Sequence, residues 1–243
     1  MMFFKTFKTI KERRHGMIAL MKQHLSTGKF KFKDPFSAIS HLVFAMIAVL
    51  ATPPLLFLGY QKHKTLGLIS MLLFMLGVIL LYSASATYHS FDISDQINTK
   101  LKKIDHMMIY VLIAGSYSPI CLLGLSNRAG IILFTVIWSL ALLGILQALF
   151  FINAPKWLNS VIYIAMGWSC IFSYGQIKSL LSTPAFAWLF IGGVIYTVGG
   201  VIYALKVPLF NKNHKNFTSH DIFHLFCIGG SVSHYILMLY LLK

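Results

Sequence analysis

Acidic residues are scarce in this chain: six Asp and Glu among 243 residues, against 21 Lys and Arg. Charged residues of both signs make up 11% of the sequence, where an ordinary soluble domain is roughly a quarter charged. That shortage excludes a surface built to face water on all sides. Cysteine is equally sparse. Cys121, Cys170 and Cys227 are the only three, all lie in apolar stretches, and their spacing suggests neither a disulfide framework nor a cysteine metal site. No strong internal repeat and no long linker divides the chain. Residues 1–33 lack the apolar run of a secretory signal, so a cleaved leader is not expected.

What the chain does contain is apolar: 57% of it is hydrophobic, with a mean hydropathy of +0.74. Seven apolar runs follow the tail, at 36–58, 67–89, 104–124, 130–152, 158–180, 184–205 and 219–242. Each is near the ~20 residues that carry a helix across a bilayer. The expected fold class is therefore all-α: an integral membrane protein forming a seven-transmembrane helix bundle over residues 34–243. Asp34-Pro35 is a start signal for the first run, Asp as a cap and Pro in the first turn. Thr218-Ser219-His220-Asp221 opens the last run as a capping box. Pro53-Pro54 and Pro119 are expected to kink or unwind their spans. Gly192-Gly193 and Gly199-Gly200 lie two turns apart, where they permit close helix packing.

The net charge of +15 reads as membrane orientation and contact with anionic lipid rather than nucleic-acid binding. The tail and every second connection after it hold 16 Lys and Arg, and the alternate set holds 5. By the positive-inside rule the N-terminus is cytoplasmic and the C-terminus outside. Residues 1–33 carry nine of the basic residues and one acid, Glu12. They form either an amphipathic surface helix or a disordered basic arm.

Ionisable side chains inside the apolar runs are few, and such groups are expensive in hydrocarbon. His41, His89, Asp105, His106, His220, Asp221 and His224 all fall at the same end of their spans, the cytoplasmic end in this orientation. His220 and His224 are spaced i, i+4, which puts two imidazoles on one helix face, and His89 offers a third nitrogen. Three nitrogens leave one tetrahedral position open on zinc, the pattern of a catalytic site, and zinc lowers the pKa of water toward ~7. Asp105 could accept a proton or orient water, and Ser85, one turn before His89, could hydrogen-bond water or a carbonyl. Plainer roles stand beside these. His89 suits a helix C-terminus, Asp105 or Asp221 a cap, and Ser85 a bond to its own backbone. His106 fits an interfacial or supporting position, and His234, ~21 Å deeper than His220, a structural one.

These residues carry a resemblance. Asp34-Pro-Phe-Ser-Ala-Ile-Ser-His41, Ser85-Ala-Thr-Tyr-His89, Ile104-Asp105-His106 with Ala114-Gly115-Ser116-Tyr117-Ser118-Pro119, and His220-Asp-Ile-Phe-His224 resemble the hemolysin III family of the progestin and adiponectin receptor superfamily. The resemblance runs from about Asp34 to the C-terminus. It implies seven helices, a cytoplasmic N-terminus in a bacterial plasma membrane, and zinc on His89, His220 and His224, with Asp105 and Ser85 beside it. Related alkaline ceramidases imply metal-dependent hydrolysis of a lipid amide or ester. Where the family's first motif carries Asn, this chain has Ser37 or Ser40. The family name implies lysis of red cells, but helices this apolar do not travel through water as a secreted pore-former does. Three functions remain open at this point: a zinc-dependent membrane lipid hydrolase, a sensor or receptor-like regulator with structural zinc, and a transporter or cytolytic pore. Membrane lipids are the expected partners.

Overall fold

The computed structural model describes residues 32–125, 128–151, 154–205 and 218–243. The predicted surface helix of the tail and most of the basic connection at 206–218 lie outside the described residues. Every regular element among those described is helical. In chain order they are α1 (Pro35–Ser90), α2 (Asp95–Pro119) running into a π-helical turn (Ile120–Gly124), α3 (Arg128–Phe150), α4 (Lys156–Gly167), a 3₁₀ segment (Trp168–Ser173), α5 (Tyr174–Leu180), α6 (Thr183–Leu205) and α7 (Ser219–Leu241). Among the described residues, five stretches are long and apolar enough to cross a bilayer: α1, Asp95–Gly124, α3, α6 and α7.

α1 is a hairpin rather than a rod. A straight helix of 56 residues would span about 84 Å at 1.5 Å per residue. Instead its two ends touch: the Asp34 N–H donates to the His89 carbonyl at 3.0 Å. The helix reverses at His63 and Lys64, its only residues with non-helical dihedrals. Two glycines make the reversal tight. A methyl on Gly59 would stand 2.9 Å from the Gly67 carbonyl oxygen, so neither position has room for a side chain. Pro53 and Pro54 do not unwind the first arm, contrary to expectation, because the dihedrals there stay helical. The Ala51 carbonyl close to them is satisfied by the Tyr235 hydroxyl at 3.1 Å.

Two further elements differ from the sequence reading. α2 begins at Asp95 rather than near 104, with the Ser94 hydroxyl capping the Ile97 N–H at 3.4 Å. Its first turns are polar and project beyond the apolar run, which hydropathy alone cannot register. The expected span at 158–180 is not one regular helix but α4, the 3₁₀ segment and α5. The break follows Gly167 and runs through Trp168, Ser169, Ile171 and Phe172, residues of lower helix propensity. It is held by Tyr117 of α2. The Tyr117 hydroxyl donates to the Gly167 carbonyl at 2.5 Å, lies 3.2 Å from that of Met166, and accepts from the Cys170 N–H at 3.0 Å. A bilayer tolerates irregular backbone only where protein supplies such partners. Pro119 does end regular α-helix as expected, giving way to the π turn.

Packing sorts the residues by polarity in the direction lipid requires. Large apolar side chains point outward, among them Leu50, 76% exposed. Inside lie small and polar residues such as Ala38, Ser70, Ser85, Ser118 and Ser231. α1 packs most closely on α2, and α6 on α7. The glycine pairs of α6 divide their work. Gly192 and Gly199 lie against His234 and Phe226 of α7, while Gly193 and Gly200 line an internal cavity.

Tyr117→Phe is expected to leave the backbone of the broken helix without its partner, at a cost of about 1–3 kcal/mol, read as a lower melting temperature in detergent. Lys64 holds a positive φ of 52°, so Lys64→Gly is expected to raise that temperature by relieving strain of about 1 kcal/mol. An unchanged value would show the reversal to be relaxed.

Candidate metal centre

His89 stands on the last turn of the second arm of α1, and α7 begins beside it. The start of α7 is fixed by Asp221, whose one oxygen accepts the Thr218 N–H at 2.7 Å and the Thr218 hydroxyl at 2.9 Å. Its other oxygen accepts the Ser37 hydroxyl of α1 at 2.6 Å. Asp221 therefore caps α7 as expected and also ties it to α1. That anchored turn presents His220 and His224 on one face toward His89. One ring nitrogen from each of the three histidines lies within 4.8 Å of the others. The Nε2 atoms of His89 and His220 are 3.3 Å apart. His89 and His224 are each 2% exposed.

This donor set fits a metal ion. Two nitrogens on one tetrahedral zinc, each about 2.05 Å from it, stand about 3.3 Å apart. That is the separation His89 and His220 already keep. His224 Nδ1 has no hydrogen-bond partner among the described residues. His89, His220 and His224 are the residues that would hold the ion.

Around the three histidines the sequence-predicted residues fall in different places. Ser85 and Asp105 are buried and line the same cavity as His220 and His224. The nearest ion-pair partner of Asp105 is His106, at 3.9 Å. His106 is drawn toward the protein frame, with Nδ1 2.8 Å from the Lys102 carbonyl and Nε2 3.4 Å from the Tyr203 hydroxyl. His41 stacks flat on His224, with ring centroids 3.9 Å apart and planes at 13°. His234 lies deeper, edge-on to the Tyr196 ring at 5.4 Å. Asp34 does not act as expected. It stands at the N-cap of α1 but makes no side-chain cap bond, and its Oδ2 meets His89 Nδ1 at 2.8 Å. That hydrogen bond holds the Asp34 carboxyl below the usual carboxylate range, against the opposing effect of partial burial. Asp at a helix start reads as a cap, so sequence alone gave no signal for this pairing.

His220 and His224 open on a largely apolar interior. A cavity of about 130 Å³ runs from His41, Ser85, Asp105 and His224 to Trp168 and His234. A second, of about 230 Å³, adjoins it and shares Tyr117, Gly167, Trp168, Gly193 and His234. Most of the wall is aliphatic and aromatic, with Ser116, Ser160, Thr197 and His234 as polar members beyond the histidine end.

A bundle of apolar helices enclosing a tri-histidine cluster defines a polytopic membrane protein with a candidate metal centre. The comparisons give the family. The family described as haemolysin-III related matches residues 30–235. The chain is 32% identical to the hemolysin-3 homolog of Bacillus subtilis (strain 168), over 87% of this chain and 95% of that one. It is 30% identical to hemolysin-3 of Bacillus cereus, over 87% of this chain and 93% of that one. It is also similar to the adiponectin receptor protein of Drosophila melanogaster, 27% identical over 67% of this chain and 40% of that protein. The chain belongs to the hemolysin III family, within the progestin and adiponectin receptor superfamily.

Asp221→Ala removes the acceptor of three hydrogen bonds at the junction of α1 and α7. It is expected to lower the melting temperature by the equivalent of about 2–3 kcal/mol. A shift no larger than that of a surface substitution would show the junction to be held by packing alone.

Proposed function

We propose that this protein is a zinc-dependent hydrolase of a lipid amide or ester, working at the cytoplasmic side of a bacterial plasma membrane. The observation that carries the reading is the opening of His220 and His224, two members of the tri-histidine cluster, onto a largely apolar cavity that also receives Asp105 and Ser85. A structural zinc needs no such cavity, whereas a catalytic one needs an open position.

The chain would cross the membrane seven times. The α1 hairpin supplies two crossings, the broken stretch 156–180 one, and the other four apolar stretches one each. The basic residues, 16 on one set of connections and 5 on the other, then place the N-terminus inside and the C-terminus outside. All three histidines lie at the cytoplasmic end in that orientation.

Zinc, when bound, supplies a Lewis acid for the carbonyl and lowers the pKa of water toward ~7. The rest of the work falls to side chains. Asp105 takes a proton from the attacking water and returns it to the leaving amine or alcohol. The Ser85 hydroxyl orients the water or the carbonyl oxygen. The aliphatic wall holds the chain of the lipid and keeps bulk water from the reacting bond, and that exclusion strengthens the electrostatics of the polar end. Lipid enters from the bilayer, since the same apolar surface that lines the cavity is at home there.

Elemental mass spectrometry of detergent-purified protein is expected to find about one zinc per chain. Replacing His89, His220 or His224 by Ala should abolish it. Asp105→Ala and Ser85→Ala should keep the ion, with Asp105→Ala losing about 10²–10⁴-fold of lipid amide or ester turnover. Zinc without any turnover by the wild type would favour a sensor with a structural ion. No zinc, even after supply, would end the catalytic reading.

A further inference from the structure

The first turns of α1 lie outside the mechanism above, yet two of their residues, Asp34 and His41, touch the histidine cluster and a third, Ser37, bonds the Asp221 that caps α7. Asp34, Ser37 and His41 are spaced i, i+3, i+7, one stripe of a helix. We propose that this stripe is a positioning layer, each member orienting a different part of the donor set. The inference rests on the metal reading above and deepens it.

Asp34 acts on His89. A carboxylate that accepts the Nδ1 proton of a buried imidazole fixes its tautomer and leaves the Nε2 lone pair free for a metal. Here the Oδ2 to Nδ1 distance is 2.8 Å, and the opposite nitrogen faces His220 Nε2 at 3.3 Å. The Asp34 N–H also holds the His89 carbonyl at 3.0 Å, so the histidine is gripped by both backbone and ring. Ser37 acts on the turn that bears His220. Its hydroxyl donates to Asp221 at 2.6 Å, and Asp221 is the residue that fixes the first turn of α7. His41 acts on His224. The stacked rings restrict rotation of the ligand, and the Tyr82 ring braces His41 edge-on at 4.8 Å.

None of the three is explained by work for its own helix. The Asp34 carboxylate makes no cap bond. The Ser37 hydroxyl is turned to another helix. The His41 side chain is buried at 2% exposure and is turned to α7, against the ring and backbone of His224. Parallel stacking at 3.9 Å also separates His41 from the ligand set, because two ligands converging on one ion do not lie face to face. The three are positioning residues, acting through the ligands and not on substrate.

The test is zinc affinity of the full-length protein in detergent, by competition with a chelator, together with the visible absorption of the cobalt-substituted form. Asp34→Asn and His41→Leu are expected to weaken zinc binding about 10–100-fold and to shift the cobalt bands. Asp95→Asn removes an exposed acid at the same end of the bundle and should do neither. Ser37→Ala, which removes one hydroxyl, carries the same test if a larger change prevents folding. Its zinc affinity should also fall, by a smaller factor. Affinities within about twofold of wild type with unshifted bands would overturn the layer while leaving the metal centre intact. So would an equal loss in Asp95→Asn, which would reduce the effect to net charge. A wild type that binds no zinc overturns both readings together.

Discussion

Inside hydrocarbon every polar group has to find its partner within the protein, because no water is there to serve it. Much of this bundle follows from that rule. The α4 to α5 stretch can leave the helical path because the Tyr117 hydroxyl takes over the freed backbone of Met166, Gly167 and Cys170. The reversal of α1 falls at one end of its arms, and its opposite ends close on one another through Asp34 and His89. Where partners stay within the protein frame, as with Tyr82, Ser231 and Tyr196 linked at 2.8 and 2.7 Å, the result is a polar seam between helices. The three histidines are the conspicuous departure: although Asp34 takes one nitrogen of His89, the rings of His89, His220 and His224 converge on one another.

The geometry of the centre is divided between two rigid pieces. One is the α1 hairpin, which brings its own two ends together and so presents His89 with His41 nearby. The other is α7, whose first turn is locked by Asp221. Ser37 to Asp221, Tyr82 to Ser231 and Tyr235 to the Ala51 carbonyl join them. The close approach of α6 to α7 at Gly192 and Gly199 then sets the width of the cavity behind the cluster. The helices that pack most tightly therefore frame the space that must stay open.

Much of this was legible in the sequence. The apolar runs marked the helices, the i, i+4 spacing of His220 and His224 marked a shared face, and the common depth of His89, Asp105 and His220 marked a cluster. These succeed because period and depth are local properties of a helix. What escaped were choices made by tertiary contacts. Asp34 before Pro35 has the form of a helix cap, and only the return of the second arm offers its carboxylate a better partner. The break after Gly167 depends on a hydroxyl 50 residues away. The early start of α2 at Asp95 escaped for another reason: polar helical turns outside the bilayer leave no trace in hydropathy.

His89 and His220 are separated by 131 positions in the chain, and α7 is the last helix described. A ribosome making this protein releases the hairpin well before the pair of histidines on α7. No product arrested before His224 carries the full set of nitrogens, however well its early helices have inserted. The cluster therefore assembles only once α7 has been made and packed against the hairpin.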